Sequence, residues 1–209
     1  MAEFINTIDA LGDDVVIDSL IQGTITEFKD NVLTVLRYGP FASRNTLKTL
    51  DLPSVTYSDG DTLKSCTALT SVKLPKLQTL AQYMFYGCSS LPSIVLPKTT
   101  NLSAYCFGYC RKLASVDLSA NVTIHGGAFG ECNALARLIL RNAETVATLN
   151  DGLSQTPIAS GTGYIYVPRA LVDSYKAATN WSNFAAQIRA LEDYTVDGTI
   201  TGELDETKI

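Results

Sequence analysis

The sequence predicts a repeat solenoid: a stack of 22-residue units, each giving one short parallel strand, with helical caps at both ends. Two observations carry that expectation. Apolar residues recur in columns 22 positions apart, as Leu47, Leu69, Leu91, Leu113 and Leu135, then Leu50, Val72, Ile94, Val116 and Leu138, then Leu52, Leu74, Leu96, Leu118 and Leu140. Within each unit the last two apolar residues stand at the strand period, so Val72 and Leu74 face one way while Ser71 and Lys73 face the other. A unit this small cannot bury its apolar side alone. Stacked neighbours cover one another, with parallel strands about 4.8 Å apart.

Taken in order, residues 1–23 read as an N-terminal helical cap, with Phe4, Ile5, Ile8 and Leu11 at helical spacing and Gly23 as the stop. The solenoid is expected over 24–168. A partial unit opens it, Ile25 and Phe28 standing one period before Leu47 and Leu50. A fourth column runs Phe41, Leu63, Phe85, Phe107, Phe129, and a fifth runs Leu36, Leu80, Leu102, Ile124, Val146, with Ser58 as its exception. Pro53, Pro75 and Pro97 end successive strands because proline has no N–H for the ladder. The last strand, Tyr164 to Val167, ends 27 rather than 22 residues beyond Leu140, which leaves five residues for a loop. Residues 169–191 follow Pro168 as a C-terminal helical cap carrying Leu171, Val172, Tyr175, Trp181, Phe184, Ile188 and Leu191, with Trp181 placed to plug the last coil. Over 192–209, Asp197-Gly198 between Thr/Val and Thr/Ile residues signals a hairpin followed by a polar tail.

Cys66, Cys88, Cys110 and Cys132 share the spacing of 22, with Cys106 outside their column. Zinc sites take paired ligands such as C-x2-C, whereas each coil here offers one thiol. Disulfides between neighbouring coils are allowed by distance, but equivalent side chains point parallel into the core. Buried free thiols acting as small hydrophobes are the simplest reading.

The unit "LQTLAQYMFYGCSSLPSIVLP" resembles the BspA-like leucine-rich repeat family, and "GTGYIYVPRALVDSYKAATNW" is similar to the segment that often closes such repeats. The general family's Asn or Cys after the strand is replaced here by Val55, Leu77, Thr99 and Asn121, so its strong horseshoe curvature is not carried over. The resemblance implies adhesin-like bacterial surface proteins or viral tail-associated receptor binders.

A net charge of -5 disfavours nucleic acid and anionic membrane surfaces as partners. No apolar run approaches the roughly 18 residues of a membrane span, and the start of the chain does not read as a signal peptide. The sequence therefore leaves a virion, a cell interior or a trimmed surface protein open. No catalytic constellation, metal site or cofactor motif is expected: His125 reads as a turn residue, and "GGAFG" lacks a phosphate-loop lysine and reads as a coil corner. Candidate ligand-binding residues are the corner tyrosines Tyr83, Tyr86, Tyr105 and Tyr109, and, on the strand face, Lys73, Asp117 and Arg137. A tyrosine joins a broad apolar face to a polar tip, which suits sugar rings and protein hot spots. The same atoms would serve packing between coils, and the strand-face charges would serve a solvated surface. The function expected is a non-enzymatic binding or adhesion module for a protein or glycan. The alternative is an assembly protein that forms homo-oligomers through its caps or its hairpin.

Overall fold

The computed structural model describes residues 26–37, 41–196 and 199–200. The N-terminal helical cap expected over 1–23, Ile25 and the tail beyond residue 200 lie outside the described residues. In chain order the strands of the stack are β1 (Glu27–Lys29), β2 (Val35–Leu36), β3 (Thr49–Asp51), β4 (Tyr57–Ser58), β5 (Ser71–Lys73), β6 (Thr79–Leu80), β7 (Ser93–Leu96), β8 (Asn101–Leu102), β9 (Ser115–Leu118), β10 (Thr123–Ile124), β11 (Arg137–Leu140), β12 (Thr148–Leu149) and β13 (Tyr164–Val167). The odd-numbered strands form one side of seven stacked turns, the even-numbered ones a second side, and a tight corner closes each coil. All ladder pairs within the stack are parallel and in the register of 22 up to β11, as in Phe28↔Leu50, Leu50↔Val72 and Ile94↔Val116.

The columns become the core. Phe85, Phe107 and Phe129 stack with ring centroids 5.3 and 5.6 Å apart and planes within 9° and 4° of parallel. Val55 and Leu77 are buried where the general repeat has Asn or Cys, and Thr99 Oγ1 donates to the Leu77 carbonyl at 2.7 Å. Ser58, the polar exception in its column, is buried and donates to the Asp59 carbonyl at 2.8 Å.

The cysteines are all buried and free. Their role goes beyond filling space. Cys66, Cys88, Cys110 and Cys132 Sγ donate to the carbonyls of Phe41, Leu63, Phe85 and Phe107 in the preceding coil, at 2.9, 3.2, 3.0 and 3.0 Å. The carbonyls of Leu63, Phe85 and Phe107 also accept an N–H from the cysteine three residues on, so the thiol engages a second lone pair that would otherwise be buried without a partner.

The stack contains a seam. The long side divides into a three-stranded sheet, β1-β3-β5, and the part running from β7, because β5 and β7 are not paired. Ala114 and Ala136 each donate a backbone N–H to the previous coil at the position that Pro92 occupies in β7's coil. Pro92 has no N–H to give Thr70, and the ladder opens there. Val72 loses cover as a result: it is half-buried, where Leu50 and Val116 are sealed. Across the seam the corner stays continuous, with Phe85 N–H donating to Cys106 at 2.8 Å and Gly87 N–H to Gly108 at 2.8 Å.

Two expectations need correction. Ile124 pairs with Leu149, not Val146, so part of the register slip falls before β12 rather than in a single loop after it. The C-terminal cap is only partly helical: a 3-10 turn at Arg169–Leu171, helix α1 (Val172–Ala177), a 3-10 segment at Trp181–Gln187, and then a strand, β14 (Ile188–Ala190). The helix ends at Ala178, which is extended at ψ 149, and Asn180, at φ 64, leads into the 3-10 segment. β14 pairs with β13 and supplies the backbone groups that the open edge of the stack requires. Side chains close the other ladder: Trp181 Nε1 donates to the Ala147 carbonyl at 2.6 Å, Ala147 N–H donates to the Tyr175 hydroxyl at 3.0 Å, and Asn180 Nδ2 donates to the Leu149 carbonyl at 2.6 Å. Beyond it, β15 (Thr195–Val196) and β16 (Thr199–Ile200) pair antiparallel.

Candidate ligand-binding surface

The coil corner turns on two residues with left-handed backbone in each of the four units from Asp61 to Glu131, and Ser43 takes the same conformation one unit earlier. One column is Asp61, Tyr83, Tyr105 and Gly127, at φ 57, 58, 57 and 71. The other is Ser43, Ser65, Gly87, Tyr109 and Glu131, at φ 60, 60, 76, 59 and 59. The reason lies in the backbone. This conformation aims the N–H along the stack, so that Ser43, Ser65, Gly87 and Tyr109 donate to Lys64, Tyr86, Gly108 and Gly130 of the next coil at 2.7 to 2.8 Å. For a bulky L-residue the conformation costs about 1–2 kcal/mol, and glycine or aspartate would meet the same need at less cost.

Tyr83 and Tyr105 stack at 5.7 Å with planes 14° apart. Tyr86 meets Tyr83 edge-on at 5.5 Å and Tyr109 at 5.1 Å. Glycines form the shelf beneath: a Cβ on Gly127 would stand 2.7 Å from the Tyr105 ring, and one on Gly108 would stand 2.8 Å from the Tyr86 ring. Lys64 Nζ lies 5.2 Å from the Tyr83 ring centroid and 5.7 Å from that of Tyr86, while the Arg111 guanidinium lies 5.7 Å from Tyr109. Loss of solvent contact pushes the Tyr86 phenol up, and the neighbouring Tyr109 adds to this while the Lys64 ammonium opposes it. Tyr105 and Tyr109 remain 44% and 39% exposed, so packing between coils uses only part of each ring.

The three strand-face candidates lie on another side of the coil and do not join the tyrosines. Asp117 is committed. Arg141 grips it with two prongs, Nε to Oδ1 at 2.8 Å and Nη2 to Oδ2 at 2.8 Å, and both side chains are shielded at 11% and 14% exposure. Lys73 and Arg137 are exposed, and Arg137 neighbours Tyr164 across the β11–β13 pair. His125 is half-buried at a coil turn, its N–H donating to the Leu102 carbonyl at 3.0 Å.

Sequence reasoning missed Lys64 and Arg111 as partners of the tyrosines, although Lys64 stands one period before Tyr86. Among the described residues no cluster of three or more His, Cys, Asp or Glu could hold a metal ion, and no helix is long and apolar enough to cross a membrane.

The family model described as a BspA type leucine rich repeat region matches residues 24–152, in six copies. A solved structure of a leucine rich cell surface protein from Faecalibacterium prausnitzii A2-165 is similar, at 25% identity and a TM-score of 0.54. The match covers 57% of this chain and 33% of that one, so the chain spans about a third of the length of that protein. No curated protein matches.

Proposed function

Since the chain belongs to the BspA-type leucine-rich repeat family, we propose that it is a non-enzymatic binding module of the cell-surface kind, presenting its tyrosine corner to a glycan or protein. The observation that carries the reading is the placement of Tyr83, Tyr105 and Tyr109 in left-handed backbone, where flanking coils make the same corner with aspartate, serine, glycine or glutamate. The fold has no need of an aromatic ring there. Strain accepted without structural need points to use at the surface. The stacked rings, their half-exposed faces and the cations beside them offer what a sugar ring or a protein anchor requires: flat apolar area with polar tips.

The test is a screen of glycans and cell-surface proteins with the parent chain and with a variant carrying both Tyr83→Ala and Tyr105→Ala. Loss of binding at a nearly unchanged melting temperature supports the reading. Binding that survives in the variant, or a stability loss of core size, contradicts it.

A further inference from the structure

A second surface lies at the other end of the stack, on the outer side of β11, β13 and β14. Outward positions there bring together Arg137 and Tyr164, which pair across β11 and β13, and Tyr166 and Arg189, which pair across β13 and β14. The Arg189 guanidinium lies 4.8 Å from the Tyr164 ring centroid, and its Nη1 is fixed by the carbonyls of Ala186 at 2.7 Å and Ile188 at 3.0 Å. Tyr166 packs against Tyr194 at 4.5 Å and against Tyr164 at 6.3 Å. Tyr164, Arg137 and Arg189 are exposed.

Two nearby carboxylates are already paired, Asp117 with Arg141 and Asp193 with Arg169, while Glu192 accepts the Arg169 N–H. Among the described residues neither Arg137 nor Arg189 makes an ion pair, so two guanidinium groups face outward from a chain of net charge -5. Ile139, beside them on β11, is buried, so the face offers tyrosine ring planes and hydrogen-bonding tips and, among its described residues, no exposed aliphatic side chain.

We propose that this patch binds a carboxylate-bearing sugar, with the sugar ring against Tyr164 and Tyr166 and the carboxylate on Arg137 and Arg189. Guanidinium groups favour planar carboxylates through paired donors, and tyrosine faces favour the C–H side of a sugar ring. The site is separate from the tyrosine corner and does not depend on its role.

The probes are a polyuronate and a polysialic acid, each against its carboxyl-reduced neutral form, titrated with the full chain at low and high salt. At least one acidic polymer is expected to bind at least tenfold more tightly than its neutral form, more weakly at high salt, and Arg137→Ala and Arg189→Ala are each expected to cost tenfold or more. Tyr83→Ala with Tyr105→Ala is expected to leave this binding intact, which separates its failure from failure of the corner. Equal binding of the neutral form, no binding of either acidic polymer, or an unaffected Arg137→Ala variant overturns the proposal. Full displacement by polyglutamate also overturns it, since that would mark an acidic protein as the ligand.

Discussion

The corners of the middle coils and those of the flanking coils make the same turn with different residues. At one position the chain uses Asp61 before and Gly127 after Tyr83 and Tyr105, and at the other it uses Ser43 and Ser65 before Tyr109. Left-handed backbone is common to all of them, and Ser43, Asp61, Ser65, Tyr109 and Gly127 each donate an N–H to a main-chain carbonyl of the next coil. What changes is the surface. A fold-driven choice would favour the residues that tolerate left-handed backbone, as Asp61 and Gly127 do on either side of Tyr83 and Tyr105. The middle coils depart from it and collect four aromatic rings.

The largest effect that sharpens this contrast comes from the inner ring beside the outer one. Phe107 is fully buried between Phe85 and Phe129, so Phe107→Ala is expected to cost about 3–5 kcal/mol, read from urea denaturation. Next in size is an alkaline loss shared by the buried thiols. Burial pushes the Cys66 thiol from 9.0 up to about 11, and those of Cys88, Cys106 and Cys110 in the same direction. The unfolded chain releases these protons first. Stability is therefore fully present below about pH 9 and falls as pH rises, and the Cys66 share is gone near pH 11. Urea midpoints at pH 8 and pH 10 check this, and a thiol reagent should label Cys88 only on unfolding. A smaller effect is expected at the seam: Pro92→Ala restores an N–H opposite Thr70, and hydrogen exchange in β5 and β7 should slow as the ladder closes. Its net stability gain is at most about 0.5–1.5 kcal/mol, because proline also restricts the unfolded chain.

The stack was legible in the sequence because its cause is periodic. Leu50, Val72, Ile94 and Val116 recur at one interval, and parallel stacking in that register seals all but Val72, which is half-buried at the seam. The seam was not read, since Pro92 interrupts a hydrogen bond without altering any apolar column. The thiol bonds were also hidden, because they run to main-chain carbonyls that no side-chain pattern reports. Helical spacing from Leu171 to Leu191 misled for a related reason: the exposed edge of β13 requires a strand, and Ile188 to Ala190 supplies it. At the candidate site, the columns placed Tyr83 and Tyr105 together correctly but could not disclose their left-handed backbone. They also set Asp117 on a strand face open to ligand or solvent, whereas Arg141, one coil on, holds and shields it.

The most direct measurement is the stability of Tyr105→Asn beside its ligand binding. Asparagine accepts left-handed backbone, so relief of about 1–2 kcal/mol of strain offsets a stacking loss of about 0.5–1.5 kcal/mol. A urea unfolding free energy within about 1 kcal/mol of the parent, with binding at the corner lost, is the predicted result. A destabilisation of the size expected for Phe107→Ala, about 3 kcal/mol or more, would contradict it and assign the tyrosines to holding the coils together.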